Sequence, residues 1–154
     1  MSELDERAAF GLALKLLARR EHSQSELRAK LKSKGAPSAV ISEVLSELGD
    51  RDLQSDARFG ESYVRSRAAR GFGPRRIRRE LRERGLDDLD CESALAGAEI
   101  DWFSLAIAAR TKKFGDNTPL EAEDRFRQMR HLEYRGFNHE QIQEAMASSR
   151  SEDC

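Results

Sequence analysis

Three glycines, Gly35, Gly85 and Gly136, close three versions of one amphipathic pattern and stand 50 and 51 residues apart. ELRAKLKSKG ends at the first, RIRRELRERG at the second and QMRHLEYRG at the third. Four residues before each glycine lies Leu31, Leu81 or Leu132, and six after lies Ile41, Cys91 or Ile142. Ten after lies Leu45, Leu95 or Met146. Such spacings stack apolar residues on one helical face. The glycine suits a helix C-terminus, where a left-handed residue is usually required. Eight before the glycine the register runs Leu27, Ile77 and then Gln128, so the third copy departs there, with Met129 available as a substitute.

Each of these helices is preceded by another apolar periodic stretch, at Ala8 to Leu17, Asp56 to Ala69 and Ile100 to Ala109. Ser23 with Glu26 is a capping box, and Thr118, Pro119 and Glu121 suggest a second, with proline in the first helical position. Gly73 and Pro74 start the middle copy's second helix in the same manner. No useful stretch alternates with period two. The expectation is an all-α protein of about nine helices: three tandem three-helix repeats, each a long helix, a second ending at the glycine and a short third. A repeat this small buries its own face poorly, so repeats are expected to stack in an elongated array. The boundaries fall at 1–52, 53–99 and 100–149, with 150–154 a disordered tail. The competing expectation is one irregular helical bundle.

Charged residues are 36% and apolar residues 38% of the 154, which points to a thin core rather than a deep one. No apolar run approaches a membrane span, and MSELDERAAF is too acidic and polar for a secretory signal. Cys91 and Cys154 make no disulfide framework. These features fit a reduced, cytoplasmic protein, and without a long heptad seam a monomer is expected.

Charge is distributed unevenly. Nine arginines, no lysine and only two acids, Glu80 and Glu83, lie between Arg65 and Arg84, in a chain of formal net charge −1. Guanidinium is the group for planar, bidentate recognition of carboxylate or phosphate. On a helix after Pro74, Arg75, Arg78, Arg79 and Arg82 share a narrow arc turned away from Ile77 and Leu81. Arg76 with Glu80, and Arg79 with Glu83, are spaced for weak pairing. Four unpaired like charges on one arc repel, which favours a docking role over a merely solvated face. Arg65, Arg67 and Arg70 extend the patch across the Gly71–Gly73 turn. Phe72 in that turn either packs back on the core or anchors a partner; Tyr63 is equally ambiguous, and Phe59 reads as core. Arg84 lies on the apolar side, snorkelling over the helix end.

Little here supports catalysis. His22, His131 and His139 have no metal-ligand spacing, and Cys91 takes a core position. Asp87, Asp88 and Asp90 read as caps for the next helix rather than a calcium loop, whose glycine and terminal glutamate are missing. No phosphate-binding glycine loop occurs. Neither a metal, a cofactor nor an enzymatic activity is expected.

ARREHSQSELRAKLKSKG, then FGESYVRSRAARGFGPRRIRRELRERGL, then RTKKFG and MRHLEYRGFNHEQI resemble the RecX family, regulators of the RecA recombinase. The likeness runs from about Leu14 to Met146, and the middle run is its most specific part. The resemblance implies an elongated, curved protein of three-helix repeats. It also implies binding within the groove of the RecA filament on single-stranded DNA, inhibition of ATP turnover and strand exchange, and filament loss. The expected partner-binding residues are Arg65, Arg67, Arg70, Arg75, Arg76, Arg78, Arg79 and Arg82, with Tyr63 and Phe72 as apolar anchors. Whether they meet protein, single-stranded or double-stranded DNA stays open. The alternative is a direct nucleic-acid module with a basic recognition helix; against it, the helix after Pro74 carries no Asn or Gln to read bases. A helical scaffold for some other acidic partner is a third reading.

Overall fold

A computed structural model describes residues 4–117, 119 and 121–147. Among these there are nine α-helices and no strand. They are α1 (Glu6–Arg19), α2 (Gln24–Ser33), α3 (Ser38–Asp50), α4 (Asp56–Ala69), α5 (Pro74–Glu83), α6 (Asp88–Gly97), α7 (Trp102–Phe114), α8 (Ala122–Arg135) and α9 (His139–Ala147). The chain forms two compact units: the described residues of Met1–Tyr63 with Leu81–Ala94, and those of Val64–Glu80 with Leu95–Cys154.

The three predicted glycine stops share one hydrogen-bond pattern. Gly35, Gly85 and Gly136 have φ of 93°, 96° and 105°, a region that penalises any Cβ. The next residue's N–H then reaches back to a leucine carbonyl: Ala36 to Leu31 at 3.0 Å, Leu86 to Leu81 at 3.1 Å, and Phe137 to Leu132 at 3.1 Å. This six-to-one bond satisfies carbonyls that a helix end leaves orphaned, and an apolar contact usually accompanies it. Ala36, Leu86 and Phe137 are accordingly buried.

Every register position is buried. Leu27, Ile77, Leu31, Leu81, Leu132 and Cys91 are wholly inaccessible, and Ile41, Ile142, Leu45, Leu95 and Met146 nearly so. In the first unit α1 packs on α3 around Ala9, Ala13, Leu27, Leu31, Val44 and Leu48. In the second α7 packs on α9 around Ala106, Leu132, Phe137, Ile142 and Ala145. Phe59 is core, as expected.

Start signals fare unevenly. Ser23 and Glu26 form the reciprocal capping box, Pro74 opens α5, and Asp87 Oδ1 caps α6 by accepting from Asp90 N–H at 2.8 Å. Three details differ from expectation. The third helix of the first repeat is not short: α3 has 13 residues against 10 in α2, because Val44, Leu45 and Leu48 extend its buried stripe. Asp101 caps α7, accepting from Ser104 N–H at 3.1 Å and Ser104 Oγ–H at 2.7 Å, so that helix starts after Ile100. Helix α8 starts only at Ala122, with Glu121 as an N-cap that makes no side-chain bond. Thr118 of the proposed second capping box, and Cys154 with the proposed tail 150–154, lie outside the described residues.

Candidate functional site

In the second unit the turn between α4 and α5 is organised around Phe72. The Arg67 and Arg135 guanidinium carbons each lie 3.9 Å from its ring centroid and that of Arg76 lies at 4.4 Å. Ring quadrupoles attract cations, which offsets part of the repulsion among the three. Glu80 supplies the counter-charge. It accepts from Arg67 Nε–H at 2.9 Å and Nη2–H at 3.0 Å, and from Arg76 Nε–H at 3.3 Å. These side chains keep only 12 to 20% of their exposure, so solvent screens them little. Arg135 also donates to the carbonyls of Gly71 and Arg70. Burial, followed by the Arg76 and Arg67 charges, pulls its pKa below the usual arginine value.

Backbone contact joins this turn to the end of α8. Gly73 N–H donates to the Arg135 carbonyl at 2.8 Å, and Arg75 N–H to the Gly136 carbonyl at 2.9 Å. The chains are so close that a Cβ on Gly73 would sit 2.5 Å from the Gly136 carbonyl carbon. Phe72 and the two glycines around it are therefore a clamp between segments 64 residues apart in sequence, and not only a flexible turn.

The expected site residues consequently fall into different environments. Arg65, Arg70, Arg75 and Arg79 are exposed in the second unit, and Arg78 there is half-buried. Arg67 and Arg76 are engaged in the Phe72–Glu80 network. Arg82 is exposed in the first unit, where its Nε meets Asp88 Oδ1 at 2.7 Å. The expectation of four unpaired arginines on one arc therefore needs correction, since the turn at Gly85 returns the chain and brings Asp88 to Arg82. Both groups of that pair are largely solvated, so it is worth little.

Tyr63, in the first unit, is half-buried and tilted 37° against Phe59 at 5.7 Å. Arg84 covers its other surroundings, 4.6 Å from the Tyr63 centroid, while its Nε approaches Glu26 Oε2 at 4.0 Å. Arg84 thus does snorkel over the helix end, as its position suggested.

Two features escaped the sequence reading. Arg135 and Tyr134 join the Phe72 surroundings, with Arg76 5.2 Å from the Tyr134 ring. The second is a buried polar pair. Arg110, 1% exposed, donates from Nε to Gln128 Oε1 at 2.8 Å and from Nη2 to the Asn117 carbonyl at 2.9 Å. Gln128 keeps its register position, buried, and Met129 packs beside it only half-buried. A buried arginine on α7, eighteen residues before its partner, leaves no periodic signal, although the exception at Gln128 pointed to it. Among the described residues no group of His, Cys, Asp and Glu could hold a metal ion.

Family models for the first, second and third three-helix domains of RecX match residues 9–48, 55–95 and 99–146, in that order. The chain belongs to the RecX family. A regulatory protein RecX from Halorhodospira halophila is 41% identical over 92% of this chain and 88% of its own length. RecX of Chromohalobacter salexigens is 44% identical over 88% of each chain, and that of Pseudomonas entomophila 43% over 84% of each. The RecX fold recurs in the crystal structure of RecX from Lactobacillus salivarius, at TM-score 0.81 and 23% identity over 96% of this chain and 97% of that one. A second crystal structure, of a regulatory protein RecX, matches at TM-score 0.76 and 24% identity over 90% of this chain and 71% of that one. These RecX relatives are named as regulatory proteins. No helix among the described residues is long and apolar enough to cross a membrane.

Proposed function

We propose that this RecX protein is a non-enzymatic regulator that binds the RecA filament on single-stranded DNA, lodges in its groove and inhibits ATP turnover and strand exchange, with filament loss. The partner is inferred from the family resemblance. The observation that carries the docking assignment is the set of exposed guanidinium groups at Arg65, Arg70, Arg75 and Arg79, concentrated in 15 residues of a chain with net charge −1. Planar forks of this kind suit carboxylates on filament subunits and phosphates of the bound DNA. Arg67, Arg76 and Glu80 act differently in this reading: they hold Phe72 and fix the turn that presents the outer arginines.

Three tandem repeats, bounded near 52/53 and 99/100, give several contact surfaces on one chain. Linked contacts raise effective concentration and bind multivalently, so a bound array obstructs the path of an incoming duplex. Bridging neighbouring subunits disfavours the geometry that hydrolyses ATP. The protein acts as a cytoplasmic monomer and needs no metal or cofactor.

The test is the single-stranded-DNA-dependent ATPase of the cognate RecA, titrated with this protein well below stoichiometry. Strong inhibition is expected. Arg75→Glu with Arg79→Glu should abolish it while helical content stays unchanged; inhibition retained by that variant sinks the arginine assignment.

A further inference from the structure

Helix α8 leaves two large rings in water. Phe126 is 64% and Tyr134 72% exposed. Single exposed apolar residues are ordinary on any surface. These two are not isolated, for they lie eight residues apart, about 12 Å along the axis at 1.5 Å per residue, with exposed Arg130 midway between them. Phe126, Arg127, Arg130, His131 and Tyr134 line one shallow concavity, which Glu123 closes at one end. Asp124, one residue on from Glu123, pairs with Arg127 at 3.2 Å.

His131 also borders a second groove of about 440 Å³, lined by Arg70, Lys112, Lys113 and Arg135 over a floor of Leu105, Ala108 and Ala109. Among the described residues no carboxylate lines this groove. Both lysines are exposed, and among the described residues neither pairs with an acid. His131 packs edge-on against Phe114 at 5.4 Å. Burial, then the charges of Lys113 and Arg135, hold its pKa below the ordinary histidine value, so the imidazole is neutral near pH 7 and the groove's charge comes from arginine and lysine. The surface thus combines π-faces at intervals along a helix with a cationic channel beside them.

We propose that this surface binds unpaired nucleic acid, with bases stacking on Phe126 and Tyr134 and the backbone phosphates lying in the Arg70–Lys112–Lys113–Arg135 groove. Stacking rings alongside a basic track are the recurring means of holding single strands, since every base offers a π-face. An acidic protein segment would satisfy the groove but has no use for two separated ring faces. A duplex hides its base faces within the stack. The platform lies on α7 and α8 and shares only Arg70, just past the end of α4, with the arginines of the filament assignment. It deepens that assignment and rests on it for its biological setting, the single strand inside a filament.

The binding measurement needs no recombinase, so it fails or succeeds separately from the filament reading. Anisotropy of a fluorescein-labelled oligo(dT) of about 20 nucleotides, long enough to span several stacking sites, is measured with the full chain at low and moderate salt. A blunt duplex of equal length is run in parallel. Phe126→Ala with Tyr134→Ala should weaken oligo(dT) binding by about a hundredfold, roughly tenfold per ring, and leave duplex binding within about twofold because duplex bases are not available to stack. Tyr134→Phe should retain binding. Lys112→Gln with Lys113→Gln should weaken both nucleic acids and flatten the salt dependence by about one to two units of slope. Circular dichroism checks that each variant keeps its helices. Unchanged oligo(dT) affinity in the ring variant, or no single-strand binding by the parent chain at low salt, overturns the proposal. So does a ring variant that loses ATPase inhibition with oligo(dT) binding intact, which would assign the face to a protein partner.

Discussion

Replacing Gln128 by leucine restores the apolar register of the first two repeats and should nevertheless destabilise the protein. The position corresponds to Leu27 and Ile77, both wholly buried, and Gln128 is itself only 5% exposed. Its Oε1 accepts from Arg110 Nε at 2.8 Å, and Arg110 retains 1% of its exposure. Among the described residues no buried side-chain nitrogen or oxygen lacks a partner, so the guanidinium has none to spare. A hydrogen bond to a charged group contributes about 1.5–3 kcal/mol, and the orphaned donor bears its desolvation as well. Leucine recovers about 1 kcal/mol through extra buried carbon, at roughly 0.8 kcal/mol per methylene. The net loss is about 1–2 kcal/mol, or roughly 2–8 °C in Tm for a chain of this size. Urea unfolding followed by far-ultraviolet circular dichroism measures it. In Arg110→Leu with Gln128→Leu both partners go together, and most of the loss should be regained, with a coupling of about 1–2 kcal/mol. A Gln128→Leu protein as stable as the parent, or additive single and double variants, would refute the reasoning.

Glu80→Gln keeps the shape of the Phe72 network but removes the carboxylate that pairs with both Arg67 and Arg76. It should cost about 1–3 kcal/mol, the range for a charged hydrogen-bonded pair that keeps some solvent, and added salt should recover part of it; thermal melts at two ionic strengths that show no loss would reduce the network to a surface decoration. Gly73→Ala drives a Cβ to within 2.6 Å of the Gly136 and Phe137 backbone and should cost about 2 kcal/mol or more. Gly11→Ala in α1, where nothing lies within 4 Å, should instead stabilise by about 0.5–1 kcal/mol. Equal melting shifts for the two alanine variants would contradict the packing described at Gly73.

Spacing along the chain was enough to place the helices that end at Gly35, Gly85 and Gly136, because the periodicity and the left-handed stop are both local. Leu31, Leu81 and Leu132 act within one turn of their glycines, and each repeats the same bond. Local chemistry also placed the caps at Ser23, Pro74 and Asp87. It failed at α8, where a proline and a glutamate resembled a start that the chain does not use, and at Asp101, an aspartate too ordinary to stand out.

The arginine run was visible as composition, but its division of labour was not. One helical arc could supply Arg76 with Glu80, whereas Arg67 reaches the same carboxylate from 13 residues away and Arg135 reaches Phe72 from another repeat. The docking candidates Arg65, Arg70, Arg75 and Arg79 separate from the structural Arg67 and Arg76 only when those distances are known. Sequence by itself determined the class, the repeat and the concentration of guanidinium, since helix periodicity, backbone conformation and net charge depend on near neighbours. Tertiary structure decided which cations are held, which stay exposed and why Gln128 breaks the pattern, since burial and pairing depend on residues that meet only after the chain has folded.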